Sequence, residues 1–239
     1  MRRALVTGGS GVLGAAICRC LAAAGRHVYV HANTGAARAH EVAREIVAAG
    51  GSAGTVTFDV TDPEAAAAGV AEILTGGPIE ILVNNAGIHD DAVLPGMRRA
   101  QWSRVIDVSL NGFFNVTQPL LMPMIRQRWG RIVNVSSVAA VAGNRGQTNY
   151  AAAKAGLHGA TRALALELAS RGITVNTVAP GIIASPATEQ VFSAEQIGRL
   201  VPMKRAGTPD EVAELVRFLT SDAAGYISAQ IISINGAMI

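Results

Sequence analysis

The sequence predicts an α/β fold, one domain built on a doubly wound parallel sheet of about seven strands flanked by helices. Short β-branched runs alternate with longer helical patterns along the whole chain. A glycine-rich turn, Gly8-Gly-Ser-Gly-Val-Leu-Gly14, joins the first strand run to the first helical run. Residues with chemical character cluster where strand candidates end: Gly8 to Gly14, Asp59, Asn84-Asn-Ala-Gly87, Ser137 and Pro180-Gly181. Ligands of such sheets bind beyond the carboxyl ends of the strands.

The chain opens with Arg3-Ala-Leu-Val-Thr-Gly8, a short apolar run, and the helical pattern after the turn spans Ala15 to Ala24 and closes at Gly25. Ala4–Val6 is the first strand candidate. Others are His27–His31, Gly54–Phe58, Ile79–Val83, Arg131–Val135, Ile173–Val178 and Ile231–Ile234. Helices are expected to start near Gly11, Ala36, Pro63, Arg99, Asn149 and Pro209. Pro63 follows Thr61-Asp62 and Pro209 follows Thr208, so each proline sits just inside a capped start. Residues 181–201 interrupt the alternation with Pro186 and a short helical piece, which predicts a substrate lid. With no linker, repeat or low-complexity tail, residues 1–239 read as one domain.

Composition narrows the function classes. The 239 residues are 50% hydrophobic and only 15% charged, which argues for a folded core. The net charge is +3, carried almost wholly by arginine because Lys154 and Lys204 are the only lysines. No basic block with interleaved aromatics is present, which argues against nucleic-acid binding, while a modest positive surface suits an acidic partner. Cys18 and Cys20 read as packed thiols, which suits a reducing cytosol. No apolar run approaches the ~20 residues of a membrane span, and no signal-peptide core is seen, so a soluble cytoplasmic protein is expected. His89, Asp90 and Asp91 are adjacent, and three consecutive residues rarely share one metal geometry, so no metal is expected.

Strand, glycine turn and helix form the setting of a dinucleotide fingerprint, in which backbone N–H groups at a helix start face a pyrophosphate. Gly8, Ser10, Gly11, Val12, Leu13 and Gly14 are therefore cofactor candidates. Downstream, Ser137 follows a strand run, and Tyr150 and Lys154 lie four apart in an Ala-rich helical stretch, on one face. A cation near a phenol favours its ionised form, so Lys154 is expected to pull the pKa of Tyr150 down from about 10. The trio suggests a carbonyl held by Ser137 and protonated by Tyr150.

These motifs, nearly from end to end, resemble the short-chain dehydrogenase/reductase family with its Rossmann-type sheet. The stretches Asn149-Tyr-Ala-Ala-Ala-Lys-Ala-Gly156, Ala169-Ser-Arg-Gly-Ile-Thr-Val175 and Ile234-Asn-Gly resemble bacterial 3-oxoacyl-acyl-carrier-protein reductases in particular. The resemblance implies that Ser137 binds the keto oxygen, Tyr150 donates the proton, and Lys154 holds the nicotinamide ribose. It places Asn85, Ala86 and Gly87 along the cofactor, and Asp59, followed by Val60, at the adenine. Ile183, after Pro180-Gly181, would meet the nicotinamide carboxamide, with Ser185 in place of the usual threonine. Arg128 and Arg171 fall where the family docks its acidic carrier protein beside the site entrance, and a homotetramer is implied. NADPH is preferred over NADH because His31-Ala-Asn33-Thr34 lacks the acid that would hold a free ribose, and Thr34 or Arg38 can meet a 2′-phosphate. Ile88-His-Asp-Asp-Ala92 and Asp107 to Asn115 look more like reductases of pigment or aryl-polyene pathways than the fatty-acid enzyme.

Two positions depart from the family pattern. Val12 stands where the motif has its middle glycine, and its side chain would crowd a backbone meant for phosphate. Ser109 stands where the family has a catalytic asparagine that holds a proton-relay water, while Asn111 sits two residues late and would point elsewhere. A slower but working relay is expected. The leading expectation is an NADPH-dependent 3-oxoacyl-acyl-carrier-protein reductase. The alternatives are an alcohol or steroid-type dehydrogenase on a free small molecule, and a non-catalytic NADP-binding partner.

Overall fold

The structure, a computed structural model, describes Met1–Ile239. Its strands are β1 (Arg3–Val6), β2 (His27–Ala32), β3 (Ser52–Thr57), β4 (Ile81–Asn84), β5 (Gly130–Val135), β6 (Ile173–Pro180) and β7 (Ile231–Ile234). They form one seven-stranded sheet in the order β3-β2-β1-β4-β5-β6-β7, with every pairing parallel. The order reverses between β1 and β4, and that switch point opens the crevice in which such sheets take their ligands.

The main helices are α1 (Val12–Ala23), α2 (Ala36–Ala48), α3 (Pro63–Leu74), α4 (Arg99–Ile106), α5 (Gly112–Gln127), α6 (Ala139–Ala142) and α7 (Thr148–Leu168). Three more follow: α8 (Pro186–Val191), α9 (Ala194–Leu200) and α10 (Pro209–Leu219). Period-two strands sort the core into two layers. Ala4 and Val6 pack with Ile81 and Val83 under α1, α2 and α10, while Leu5 and Leu82 pack on the other face under α3, α5 and α7. The capped starts are present: Asp62 accepts N–H bonds from Glu64 and Ala65, and Thr208 accepts from Glu211. Cys18 is buried, and the Cys20 thiol donates to Glu214 at 3.4 Å, so neither is in a disulfide.

The strand candidates all form, with ends moved by at most two residues. The stretch from Arg99 is more elaborate than expected. α4 runs through a π-helical turn, Asp107–Asn111, directly into α5, despite Pro119 and Pro123 within α5. The lid candidate holds two short helices, α8 and α9, instead of one.

A chain of buried polar side chains fastens the helices to the middle of the sheet. The Asn84 amide donates to Thr117 (3.1 Å) on α5 and Asn134 (2.9 Å) on β5. The Asn134 amide donates to Thr161 (2.8 Å) on α7, which pairs with Thr177 (2.7 Å) on β6. Each member is satisfied, so the network fixes α7 relative to β5 in a low-dielectric setting.

Candidate active site

The glycine turn is shaped by its own backbone and by the β4 end. Gly8 has φ of 62°, a left-handed conformation that glycine adopts freely. A Cβ on Gly14 would collide with the Gly8 carbonyl oxygen, so α1 can approach the turn only with glycine there. The Thr7 hydroxyl accepts the N–H groups of Asn85 and Ala86, both at 3.0 Å. The Asn85 amide in turn donates to the carbonyls of Thr7 (2.9 Å) and Gly8 (3.1 Å). Asn85 thus holds the turn in shape, and Ala86-Gly87 continues beside it.

Val12 stands at the rim of this cradle. It is the first residue of α1, after Gly11 as N-cap, and its side chain is 51% exposed. Gly14 is the glycine of the turn with the least room for a side chain. Ser10 lies against Gly35 at the start of α2, and Leu13 packs toward the α1 core layer.

On the adenine side, Asp59 lies two residues past β3. The Thr61 backbone N–H and hydroxyl both donate to its carboxylate at 2.8 Å, and with Asn33 they hold its pKa below the usual carboxylate range. Val60 is buried beneath α5. Asn33 and Thr34 are exposed at the β2 end. Arg38 is engaged elsewhere, paired with Glu41 at 2.6 Å and Glu45 at 3.5 Å along α2. A 2′-phosphate would have to draw Arg38 out of these exposed pairs.

The chemical side assembles at the β5 end. Ser137 is half-buried, and its Oγ accepts the Ala139 N–H at 3.1 Å. Tyr150 is 8% exposed. Burial raises its pKa above the ordinary phenol value, and the Ser137 hydroxyl beside it acts in the opposite direction. The Lys154 Nζ donates to the Val135 carbonyl at 2.8 Å and lies 5.8 Å from the centre of the Tyr150 ring. Burial lowers the Lys154 pKa to about 8. The lowering of the phenol expected from Lys154 is not found: burial dominates, and the Lys154 ammonium faces a backbone carbonyl. A phenol with a raised pKa is fully protonated at neutral pH, as a proton donor must be.

The π-helical turn places Ser109. Its side chain is buried with an unpartnered Oγ, while Asn111 faces solvent and donates to Asp107 at 2.7 Å. Asn111 is excluded as a replacement, as its spacing predicted. A buried hydroxyl without a protein partner, on a turn that packs against α7, suits a bound water.

At the mouth, the His89 ring stacks on Tyr150 with centroids 4.1 Å apart. Gln147 donates to Asp91 at 2.8 Å, and Gln101 donates to Asp90 at 2.7 Å, so the segment is tied down by side chains of α4 and the start of α7. Pro180 ends β6, and Gly181 packs against Asn235. The Ile183 carbonyl accepts from the Thr188 hydroxyl at 2.6 Å, and the Ser185 hydroxyl caps α8.

Arg128 and Arg171 are brought together, with Arg128 donating to the Ser170 carbonyl at 3.1 Å. They are not beside the end of β5 where Ser137 and Tyr150 lie, which corrects the expectation of a place at the entrance. Arg128 precedes Gly130 at the start of β5 and Arg171 precedes Ile173 at the start of β6, whereas Ser137 follows the other end of β5. A strand of this length spans roughly 20 Å.

A glycine cradle at the switch point, with a Ser-Tyr-Lys set one strand over, is now in place. Residues 2–196 match the family described as short chain dehydrogenase. The chain belongs to that family. Among its relatives, the 3-oxoacyl-acyl-carrier-protein reductase FabG of Aggregatibacter actinomycetemcomitans is 42% identical, covering 98% of both chains. The 3-oxoacyl-acyl-carrier-protein reductase of Synechocystis sp. is 44% identical over 99% of this chain and 96% of its own. Nodulation protein G of Azospirillum brasilense is 44% identical over 98% of this chain and 97% of its own. Because every strand runs parallel, the residues singled out at strand ends lie along one edge of the sheet. Sequence reasoning missed His31, whose ring contacts the turn from β2, because its partner Gly8 is 23 residues away. No helix is long and apolar enough to cross a membrane.

Proposed function

We propose that this chain reduces a 3-oxoacyl thioester, carried on an acyl carrier protein, to its 3-hydroxyacyl form with NADPH. The observation that carries the reading is the placement of the Tyr150 hydroxyl beside Ser137, with Lys154 Nζ 5.8 Å from its ring centre, at the end of β5. The glycine cradle, in which a Cβ on Gly14 has no room, fits a dinucleotide pyrophosphate at the start of α1. The reduced nicotinamide, when bound, supplies the hydride for the keto carbon. Ser137 Oγ–H holds the keto oxygen, and Tyr150 Oη–H gives that oxygen its proton as negative charge develops. Lys154 stabilises the phenolate left behind. Ser109 holds the water that returns a proton toward Lys154. Replacing Ser109 with Ala is expected to lower kcat severalfold at unchanged NADPH affinity, and Asn to raise it. Equal kcat in all three proteins, measured by single-turnover and steady-state kinetics, removes Ser109 from the relay.

The names of the relatives support the carrier-bound substrate, and the paired Arg128 and Arg171 supply a basic surface for an acidic carrier. The assembly we infer is a homotetramer in the cytoplasm, with 181–201 as the substrate lid and Ile88 to Ala92 shaping the mouth for a conjugated acyl chain. The deciding experiment compares NADPH oxidation with carrier-bound and free 3-oxoacyl thioesters. The Arg128→Glu/Arg171→Glu double variant is expected to lose at least about tenfold in kcat/KM on the carrier-bound substrate alone, in a salt-sensitive way. An equal loss on the free thioester, or none on either, overturns the docking role. Turnover confined to free alcohols or ketones favours the small-molecule reading instead.

A further inference from the structure

His31 is buried at the end of β2, 1% exposed, with its ring against Phe58 at a centroid distance of 4.2 Å. Its two nitrogens meet partners whose roles are unambiguous. The Gly8 backbone N–H donates to Nδ1 at 3.1 Å, and an amide N–H can only donate, so Nδ1 carries no proton. Nε2 lies 3.0 Å from the Phe58 carbonyl, which can only accept, so the ring proton is on Nε2. Both bonds require the neutral Nε2–H tautomer. Burial keeps the ring neutral, pushing its pKa down to about 4 against the pull of the Phe58 carbonyl and Asp59.

The two partners are informative. Gly8 is the left-handed glycine whose carbonyl packs against Gly14 and accepts from Asn85. Phe58 is the residue before Asp59. One imidazole therefore joins the turn after β1 to the end of β3, two segments that share no direct strand pairing because β2 lies between them. We propose that His31 is a positioning residue for the cofactor, a neutral hydrogen-bond bridge that fixes the glycine turn against the adenine-side residues. The proposal rests on the dinucleotide-binding reading. It assigns His31 no contact with the reacting atoms. An imidazolium would turn a second N–H against the Gly8 N–H and break the bridge.

The test uses three variants of the full chain. His31→Asn keeps an acceptor oxygen near the place of Nδ1, His31→Gln carries its polar group farther out, and His31→Leu has neither. NADPH dissociation constants measured by calorimetry are expected to rise about tenfold in Leu and Gln, with Asn within a few-fold of the parent. Steady-state kinetics are expected to show the loss in KM for NADPH, with kcat retained at saturation. In the unliganded parent, ¹⁵N NMR of the histidine ring is expected to show an unprotonated Nδ1 and a protonated Nε2 at neutral pH. A protonated Nδ1 overturns the bridge, whatever the variants do. Affinity that follows the loss of thermal stability across all three variants, with no recovery in Asn, reduces His31 to a packing residue and overturns the positioning role. A parent protein that shows the predicted tautomer but binds no NADPH overturns the cofactor reading and leaves the hydrogen-bond bridge standing.

Discussion

Tyr150→Phe is expected to lower kcat for ketone reduction by about 10²–10⁴-fold while the fold and NADPH affinity are retained. The substitution removes one hydroxyl and keeps the ring, which is buried with Val105, Ala139 and Ala153 and stacked under His89. That packing does not depend on the hydroxyl, so the thermal midpoint is expected to stay close to the parent's. The hydroxyl itself is the group that Ser137 contacts and whose pKa burial raises. Without it, the keto oxygen gains charge with only the Ser137 hydroxyl to meet it. Steady-state NADPH oxidation, with cofactor binding measured separately by calorimetry, checks both halves. A loss below tenfold moves proton donation away from Tyr150.

Lys154→Met is expected to abolish most activity and yet raise the stability of the cofactor-free protein. The Lys154 ammonium is 3% exposed, with the Val135 carbonyl as its protein partner and no carboxylate beside it. Its pKa falls from 10.5 to about 8, so the folded state holds this proton less tightly than the unfolded chain. Below pH 8 both states carry the charge, and the fold bears the full cost of burying it. Between pH 8 and about 10.5 the folded lysine deprotonates first, and the cost fades. A shift of this size corresponds to about 3 kcal/mol near neutral pH. Methionine fills similar volume but strands the Val135 carbonyl, at a cost of about 1 kcal/mol, leaving a net gain of about 2 kcal/mol. Denaturant unfolding at pH 7 and again above pH 10 measures it: the gain is expected at the first and not at the second. A methionine variant less stable than the parent at pH 7 would show that the buried ammonium is held by more than one carbonyl. The same burial that makes Lys154 costly makes its charge effective on a phenolate, since neither is screened by water.

Much of the site was legible because its signals are local. Gly8 to Gly14 must turn sharply between a strand and a helix, and only a few residue types allow that. Tyr150 and Lys154 share a helix face by spacing alone, and Ser137 follows a run of β-branched residues. Thr61-Asp62-Pro63 and Thr208-Pro209 mark helix starts by chemistry that acts within a few residues. The misreadings share the opposite property. The expectation of Arg128 and Arg171 at the entrance fails because the parallel sheet puts the starts of β5 and β6 at the edge away from Ser137. The π-helical turn that buries Ser109 has no period that sequence patterning can detect.

The sequence by itself determined the order of strands and helices, the glycine turn and the residues that stand at strand ends, because local conformation follows from side-chain shape and spacing. Only the tertiary structure decided the protonation states and partners on which the chemistry depends. Burial sets the sign of the Tyr150 and Lys154 shifts, and burial is made by segments far apart in the chain. His31 likewise meets the Gly8 N–H only because the fold turns its ring inward. Desolvation and long-range hydrogen bonding exist only once the chain has closed on itself.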